Sequence, residues 1–240
     1  MSDKIIPQHI AFIPDGNRRY GRENLNDAEA GHMAGVETIK TLVDAARKTG
    51  IPYVTFYVFS TENWKRTNEE VSYLMKLFHR YFADYKNNLG EDNITIKFIG
   101  RRDRISDSLR KIIKLVENAT KHDNPACTVT FALDYGGQDE LVRAFKRMIK
   151  KLLTLRLNPF KLSTATISDN LDTAGIPPPD LVVRTSGEQR LSNFLTWQTA
   201  YSELYFTDTH WPAFDKQSFK QALDWYATRE RRLGGDSKAK

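Results

Sequence analysis

The residues best suited to chemistry are concentrated in the segment 184–193, RTSGEQRLSN, and at Glu203 about ten residues later. Arg184 follows an apolar run, so it should lie where a buried strand opens into a loop. Arg184 and Arg190 carry guanidinium forks that match the oxygens of a phosphate, and Ser192 adds a hydroxyl. Glu203 begins a second short strand pattern and should place a carboxylate near the same point. Anion-binding arginines beside a ligand for a hard metal predict metal-assisted chemistry on a phosphate or diphosphate.

Three further polar segments follow strand patterns. They are PDGNRR at 14–19, STENWKR at 60–66 and DYGG at 134–137. Ligands of parallel sheets bind outside the carboxyl ends of the strands, so four such loops predict one shared site. The Asp-Gly-Asn turn in the first segment could bring backbone N–H groups and a helix N-terminus to a phosphate. Asp15 becomes a credible metal ligand only with Glu203 as its partner, because Mg²⁺ uses few carboxylates beside substrate phosphates.

One histidine has a position that could serve the same site. His32 follows Gly31 where a helix pattern begins, and its imidazole could donate a hydrogen bond to a phosphate. An ordinary histidine at a helix start is equally consistent with this position. The chain lacks GxxxxGK(S/T), GxGxxG and GxSxG, which are motifs of nucleotide hydrolysis, dinucleotide binding and serine hydrolysis. None of these three activities is therefore predicted.

The composition limits the class of protein and its partners. Its 240 residues suffice for one α/β domain with an extended core. The 36 Lys and Arg exceed the 30 Asp and Glu, but they are spread along the chain without any nucleic-acid motif, so nucleic acid is not an expected partner. The single cysteine, Cys127, excludes an internal disulfide and a cysteine-based zinc site. Neither a signal peptide nor a membrane-spanning apolar run is visible, which predicts a soluble cytoplasmic protein.

Apolar runs of strand length alternate with helical periodicities along the chain. The strand patterns cover 9–13, 53–60, 94–99, 128–133, 181–184 and 203–207. The helical patterns cover 32–49, 69–88, 105–121, 138–153, 166–173 and 216–229. Such alternation is typical of an α/β fold with a mostly parallel sheet flanked by helices. We therefore predict a single domain over 1–240 with a six-stranded sheet, and a flexible tail at 235–240.

Two helical patterns differ in the width of their apolar face. In 138–153 the apolar residues share a single face, as expected of a helix packed on a sheet. In 69–88 the apolar stripe is wider than one packing face requires. The residues of this stripe are Val71, Tyr73, Leu74, Met75, Leu77, Phe78, Tyr81, Phe82 and Tyr85. The pattern fits either a buried core helix or a helix that also walls a hydrophobic cavity.

Six motifs occur together along the chain in a recognisable order. They are HIAFIPDGNRRY at 9–20, GHMAG at 31–35, FSTENWKR at 59–66, ALDYGG at 132–137, the segment 184–206, and RERRLGG at 229–235. Because these motifs span nearly the whole chain, the sequence resembles the cis-prenyltransferases, and most of all their undecaprenyl diphosphate synthase type. The chain lacks DDxxD, the signature of the unrelated all-helical trans-prenyltransferases.

This resemblance implies a fold, a reaction and partners. It implies a homodimer with a hydrophobic tunnel between the helices and the sheet. It also implies Mg²⁺-dependent condensation of isopentenyl diphosphate onto an allylic diphosphate such as farnesyl diphosphate. The product would be a Z-polyprenyl diphosphate, the precursor of a lipid carrier for cell-wall glycans. Such a product would bring the cytoplasmic enzyme into peripheral contact with a membrane.

The family's functional residues map onto this sequence by motif. Asp15 would be the catalytic carboxylate that handles Mg²⁺ at the allylic diphosphate, and Glu203 would complete the metal site across the dimer. Asn63 and Arg66, in the mobile segment 60–66, would take part in closure and proton loss. The residues implied to bind substrate are Gly16, Asn17, Arg18, Arg19, Tyr20, His32, Ser60, Glu62, Trp64, Arg66, Arg184, Arg190, Ser192, Arg232 and Gly234. Among them, the last two would reach the site of the partner subunit.

The chain departs from the family pattern at three positions. Ala28 replaces an arginine that commonly helps to bind the allylic diphosphate, and Arg22 or Arg18 could substitute for it. Tyr20 stands where tryptophan is usual, and Thr67 stands where proline is usual. These differences bear on the preferred allylic substrate more than on catalysis.

Two alternatives and the product length remain open. One alternative is irregular coupling of two allylic diphosphates, as in lavandulyl-type relatives. Ala28 is the residue that favours this alternative. The other is a non-catalytic partner subunit of another prenyltransferase, which would normally have lost the aspartate of the Asp-Gly-Asn turn. Val58 and Leu133 should lie near the tunnel by motif position, where bulky residues shorten products. Both side chains are of intermediate size, so a product of medium length is expected.

Overall fold

Six parallel strands form the centre of this computed structural model, which describes residues 5–87 and 93–230. The strands are β1 (His9–Ile13), β2 (Tyr53–Ser60), β3 (Ile94–Ile99), β4 (Cys127–Tyr135), β5 (Leu181–Arg184) and β6 (Glu203–Phe206). Their order across the sheet is β3-β4-β2-β1-β5-β6, and all five neighbouring pairs are parallel. The predicted α/β fold with a six-stranded, mostly parallel sheet is therefore confirmed, and β1 and β2 lie at the centre of the sheet.

Alternate residues of each strand face opposite sides of the sheet, as the two-residue repeat of a strand requires. In β1, Ile10 and Phe12 join the larger hydrophobic cluster, while Ala11 and Ile13 join the smaller one. Both faces of the central strands are thus buried, which explains why the sequence reads as continuous apolar runs. Cys127 is a buried residue of β4.

In the described part of the chain, seven α-helices flank the sheet. They are α1 (Asn17–Asn24), α2 (Ala28–Thr49), α3 (Asn68–Asn87), α4 (Asp107–Ala119), α5 (Gly137–Leu153), α6 (Thr164–Ser168) and α7 (Lys216–Ala227). Side chains of α2, α3, α4 and α7 pack into the larger cluster. On the other side, Tyr135 of the smaller cluster donates a hydrogen bond to Glu140 of α5 at 2.6 Å. Helices therefore cover both faces, as expected.

The start of α2 and the short helix before it differ from the sequence prediction. We expected only a turn leading into a helix at 32–49, whereas α1 is a separate helix and α2 begins at Ala28. Gly21 is the only buried residue of α1, so this helix has no apolar periodicity to recognise. The α2 start is fixed by the Asp27 carboxylate, which accepts from the Glu29 N–H at 2.8 Å. Helix α6 covers five residues instead of the predicted 166–173.

Part of the apolar face of α5 points away from the sheet. Ala144 and Met148 are buried, but Val142, Phe145 and Ile149 are 55%, 63% and 40% exposed. We call these three residues, with Leu153 at 81% exposure, the α5 stripe. The expectation that a single apolar face packs on the sheet therefore holds for only half of this helix.

Two sequence predictions lie outside the described residues. They are the substrate-binding roles of Arg232 and Gly234 and the flexible tail at 235–240. Within residues 5–87 and 93–230, no helix combines the length and apolar character needed to cross a membrane.

Candidate active site

A cavity of about 600 Å³ opens at the carboxyl ends of the three neighbouring strands β2, β1 and β5. Its mouth is polar and its inner wall is apolar. The polar lining residues are Asp15, Asn17, His32, Tyr57, Ser60, Glu62, Asn63, Arg66, Arg184, Ser192 and Asn193. The apolar lining residues are Ile13, Pro14, Val36, Ile39, Val58, Leu74, Leu77, Phe78 and Trp211, together with Gly35. The cavity therefore suits a ligand with a charged head and a hydrocarbon body.

Asp15 and Arg184 form the ionic centre of this mouth. The Arg184 side chain is 5% exposed and donates to Asp15 Oδ2 at 2.9 Å and to Ser192 Oγ at 2.7 Å. The Asp15 carboxylate is 30% exposed and also accepts from Arg19 at 3.3 Å. A buried guanidinium held by a carboxylate and a hydroxyl keeps its orientation toward the cavity. The sequence prediction that Arg184, Ser192 and Asp15 share one site thus agrees with the structure.

A second, basic pocket of about 330 Å³ adjoins the first at the N-terminus of α1. It is lined by Pro14, Asp15, Gly16, Asn17, Arg18, Arg19, Arg22, His32 and Arg66. Gly16 has φ +93° and makes no side-chain cap, so the first-turn N–H groups of α1 are left for a ligand. Four arginines and a helix N-terminus favour an anion of high charge. Arg18 and Arg22 both line this pocket. Either guanidinium is therefore in place to substitute for the arginine that Ala28 replaces.

Glu70, at the start of α3, joins the two sides of the basic pocket. Its Oε2 accepts from Arg18 at 2.8 Å and its Oε1 accepts from Arg66 at 2.9 Å. Glu70 is four residues after Arg66, the spacing of neighbours on one helix face. The sequence analysis did not select Glu70, although this spacing could have indicated it.

His32 is neutral in this site. Burial lowers its pKa to about 4, and the nearby cations of Arg66 and Arg18 act in the same direction. The ring packs against Tyr73 with centroids 6.4 Å apart. Its Nε2 is buried without a partner, as are Asn17 Oδ1 and Arg184 Nε. Three such atoms around one cavity point to a polar ligand there, since buried polar groups are normally hydrogen-bonded.

The segment 60–66 is a capped turn beside the cavity. The Asn63 side chain accepts from the Ser60 N–H at 2.9 Å within a capping box, and a 3-10 turn covers Thr61–Lys65. Ser60, Glu62, Asn63 and Arg66 line the cavity. Trp64 instead donates to the buried carboxylate of Asp134 at 2.8 Å. It therefore fixes the turn to the end of β4 and is not part of the lining.

The segment after β5 folds back over the cavity mouth. Ser192 and Asn193 have positive φ values of +50° and +64°. Arg190 contributes its backbone carbonyl, which accepts from Arg184, while its side chain is 60% exposed and pairs with Glu188. Tyr20 and Arg190 are substrate-binding predictions whose side chains are not part of either described pocket.

Glu203 lies far from Asp15 within one subunit. It pairs with Leu181 at the amino end of β6, whereas Arg184 pairs with Phe206 at the carboxyl end. Three residues of strand separate these ends by about 10 Å. The Glu203 carboxylate accepts from Arg229 at 3.1 Å. The expectation that Glu203 lies near Arg184 in the same chain is therefore wrong, because the direction of β6 carries it to the opposite edge.

Two carboxylates, Asp15 and Glu62, line the cavity, and of these two Asp15 also lines the basic pocket. Among the described residues, no group of three or more His, Cys, Asp or Glu could hold a metal ion. Asp15 lines both pockets, beside the arginines. Mg²⁺ is commonly held by one or two carboxylates with waters and substrate phosphates, so a single half-buried Asp15 fits a metal that arrives with its anion.

Several lining residues were not among the predicted substrate-binding or catalytic residues. They are Val36, Ile39, Tyr57, Leu74, Leu77, Phe78, Asn193 and Trp211. Three of them, Leu74, Leu77 and Phe78, come from the wide apolar stripe of α3 and favour its interpretation as a cavity wall. Val58 lines the cavity as expected, whereas Leu133 is buried in the larger cluster instead.

Comparison with known proteins identifies relatives over nearly the whole chain. A family model described as "Putative undecaprenyl diphosphate synthase" matches residues 13–234. An isoprenyl transferase of Listeria monocytogenes is 42% identical over 233 residues, covering 97% of this chain and 92% of that protein. An isoprenyl transferase of Rhizobium meliloti is 43% identical over 230 residues, covering 96% and 93%.

Two solved structures share the fold. Lavandulyl diphosphate synthase from Lavandula x intermedia, solved with dimethylallyl diphosphate, has a TM-score of 0.91 and 31% identity over 97% of this chain and 100% of that one. A probable undecaprenyl diphosphate synthase from Campylobacter jejuni has a TM-score of 0.79 and 34% identity over 95% of this chain and 98% of that one. Since the family match and these identities extend over almost the full length, the chain belongs to the undecaprenyl diphosphate synthase family of prenyltransferases.

Proposed function

We propose that this prenyltransferase condenses isopentenyl diphosphate onto an allylic diphosphate, with Mg²⁺, to make a Z-polyprenyl diphosphate. The observation that carries this proposal is a single cavity that joins a basic, oxyanion-binding mouth to an apolar wall. A lengthening prenyl chain needs both parts, because its diphosphate stays charged while its body grows by apolar units. The proposed product is the precursor of a lipid carrier for glycans.

We assign the basic pocket at α1 to the allylic diphosphate. The first-turn N–H groups of α1 and the arginines Arg18, Arg19 and Arg66 would bind its oxygens. These groups stabilise the negative charge that develops on the leaving diphosphate as the allylic C–O bond breaks. Bound Mg²⁺, held by Asp15 and the diphosphate, would neutralise part of that charge.

We assign the Arg184 side of the mouth to isopentenyl diphosphate. Arg184 and Ser192 are already hydrogen-bonded to each other and need no rearrangement to present an anion site. Arg190 would join them by turning its exposed side chain inward. Asn63, on the opposite rim, belongs by motif to the step in which the condensing carbon loses its proton.

The apolar wall would carry the growing chain. Leu74, Leu77 and Phe78 of α3 face Val58 of β2 and Val36 of α2 across the cavity. A developing allylic cation reacts with water unless water is excluded, and these side chains supply a dry environment. We propose that the product extends along this wall as a tunnel and reaches a membrane surface when it leaves.

We propose that the active form is a homodimer. The α5 stripe exposes four apolar side chains. Leu204 of the edge strand β6 is also exposed, as is Tyr201 just before this strand. Apolar residues at helical spacing on a soluble protein indicate a partner surface. A second subunit is also the route by which Glu203, Arg232 and Gly234 could reach an active site.

The proposed reaction is tested with purified protein, Mg²⁺, farnesyl diphosphate and labelled isopentenyl diphosphate. We expect labelled polyprenols after phosphatase treatment, resolved by thin-layer chromatography, and their loss when EDTA replaces Mg²⁺. Absence of labelled product with several allylic primers would contradict the proposal and favour a non-catalytic partner subunit.

A second candidate is irregular coupling of two allylic diphosphates. The 0.91 TM-score with lavandulyl diphosphate synthase and the alanine at position 28 favour it. The retained Arg184–Ser192 pair favours use of isopentenyl diphosphate instead. Incubation with dimethylallyl diphosphate alone separates the two, because only irregular coupling gives a branched ten-carbon product from that substrate.

A further inference from the structure

Asn193 connects three segments around the cavity mouth. Its side-chain oxygen accepts from the Gln138 N–H at 2.9 Å, and its carbonyl accepts from the Gly137 N–H at 2.7 Å. Its amide nitrogen donates to Glu62 Oε1 at 3.0 Å. One side chain thus joins the start of α5 to the segment 60–66. The residue before it, Ser192, is the hydroxyl partner of Arg184.

The surrounding backbone is built to hold this side chain. Asn193 has φ +64°, a conformation that asparagine tolerates better than most residues. Gly136 makes room for it, since a Cβ there would lie 2.8 Å from Asn193 Nδ2 and 2.5 Å from Thr61 Oγ1. Hydrogen bonds to both its backbone and its side chain hold Asn193 in this left-handed conformation. Residues held in such uncommon conformations are frequent at functional sites.

The contact with Glu62 also affects the charge of that residue. Partial burial raises the pKa of Glu62, but hydrogen bonds from Asn193 and from the turn itself outweigh it, so that the pKa lies below its ordinary value. Glu62 is therefore a carboxylate at neutral pH, and the amide of Asn193 is its partner from outside the segment 60–66.

We propose that Asn193 is a positioning residue that sets the segment 60–66 in register with the Arg184–Ser192 pair. This inference rests on the proposed function, in which the first carries Asn63 and the second holds isopentenyl diphosphate. Asn193 directly follows Ser192 in the chain, and its side chain binds Glu62, the residue before Asn63. The group that acts in proton loss and the anion site for the condensing substrate are thereby assembled together. Neither Asn193 nor its link to Glu62 contacts the allylic pocket.

The test exchanges donor and acceptor between the two residues. Asn193→Asp keeps the oxygen that accepts from the Gln138 N–H. It replaces the amide nitrogen that donates to Glu62 by a carboxylate oxygen, which repels the Glu62 carboxylate. We expect kcat/KM for isopentenyl diphosphate to fall about tenfold or more, the range for losing a hydrogen bond to a charged group. KM for the allylic substrate should change less than twofold. Adding Glu62→Gln restores a donor, so the double variant should recover activity relative to Asn193→Asp.

Hydrogen exchange of the substrate-free protein separates this inference from the proposed function. We expect amides of 60–66 to exchange about tenfold faster in Asn193→Asp and near the wild-type rate in the double variant. Gln138→Glu adds the same charge at the exposed first turn of α5 and should change neither readout. Unchanged exchange in Asn193→Asp, or kcat/KM within twofold of wild type, would overturn the inference. An inactive wild type would refute the proposed function while leaving the exchange result to decide on the contact.

Discussion

At the residue scale, the side-chain carboxylate of Asp15 has three partners that define the mouth of the cavity. It accepts from Arg184 at 2.9 Å, from Arg19 at 3.3 Å and from the Gly16 N–H at 2.7 Å. The carboxylate thereby holds the buried guanidinium of Arg184 in place, and it remains accessible to a metal. One residue thus serves both halves of the proposed two-substrate site.

Replacing Asp15 by asparagine separates these two roles. The amide oxygen of Asp15→Asn still accepts from Arg184, so we expect the free energy of unfolding to change by only about 1 kcal/mol. The loss of the carboxylate should lower kcat about 100-fold or more, because charge stabilisation at the leaving group is lost. Steady-state assays with titrated Mg²⁺ and thermal unfolding measure the two effects. Asp44→Asn, a surface change near Lys48, serves as control and should be active. Full activity of Asp15→Asn would contradict the assigned role.

At the element scale, β1 is held to its neighbours by a buried histidine as well as by the sheet. His9 Nδ1 donates to the Pro177 carbonyl at 2.7 Å, and Nε2 lies 2.8 Å from Thr55 Oγ1 of β2. Burial lowers the pKa of His9 to about 4, although the Pro177 contact and Asp180 raise it. A neutral imidazole thus joins the start of β1 to β2 and to the segment before β5.

The stability of the protein should fall in acid because of this histidine. The unfolded state binds the proton below pH 6.5 and the folded state only near pH 4, so stability is present above 6.5 and is lost as pH falls toward 4. The loss is about 3 kcal/mol for one such group. Chemical unfolding at several pH values should show a smaller pH dependence for His9→Asn than for wild type. His122→Asn, at an exposed position, should leave the dependence unchanged; an identical dependence in His9→Asn would refute the assignment.

The wall formed by β2 and α3 should control product length. Val58→Phe adds bulk opposite Leu74 and Phe78, so we expect shorter polyprenols as the main product with a normal unfolding temperature. Thin-layer chromatography after phosphatase treatment reports the length. The control is Leu115→Phe on the exposed side of α4, which should not alter it. Unchanged products in Val58→Phe would show that the chain grows elsewhere.

At the scale of the whole molecule, β6 is one of the two edge strands of the sheet, and the α5 stripe is exposed to solvent. The edge strand β6 has a single neighbour, β5, and the α5 stripe covers no part of the sheet. Glu203 lies on this same edge strand, away from its own cavity. A homodimer that covers the α5 stripe and the edge strand β6 would account for all three features.

A charged residue in the α5 stripe should dissociate the dimer. We expect Phe145→Glu to weaken association about 100-fold, because burying an unpaired carboxylate at an apolar contact costs several kcal/mol. Analytical ultracentrifugation measures the change, and activity should fall with it. Leu115→Glu makes the same kind of change on α4 at a similarly exposed site and should remain dimeric. A monomeric wild type would exclude the proposed assembly.

The sequence predicted the strands well because their signal is local. All six follow the apolar runs within two residues, since both faces of the central strands are buried. Helix α1 was missed because Gly21 is its only buried residue. The outward turn of Phe145 could not be predicted, because periodicity shows that a face is apolar but not what covers it.

The site was predictable where a residue ends a strand or lies within two residues of its end. Asp15, Ser60 and Arg184 occupy such positions and lie together as expected. Glu203 was misplaced because the chain returns to the amino ends of the strands before β6 begins, which nearness in sequence to Arg184 does not show. The role of Asn193 depends on a positive φ and on contacts with residues far along the chain, which no local pattern reveals.

The central position of β1 has a consequence for the order of events during synthesis. β1 is made first, yet one of its two neighbours, β5, begins at Leu181, more than 160 residues later. Until the ribosome has released β5, one hydrogen-bonding edge of the apolar strand β1 stays unpaired in the nascent chain. Chaperones can bind this edge, and it can aggregate. Arg184 belongs to the same late strand. The mouth of the cavity therefore closes only after residue 184 has been made, and a chain that ends before it lacks the guanidinium that pairs with Asp15.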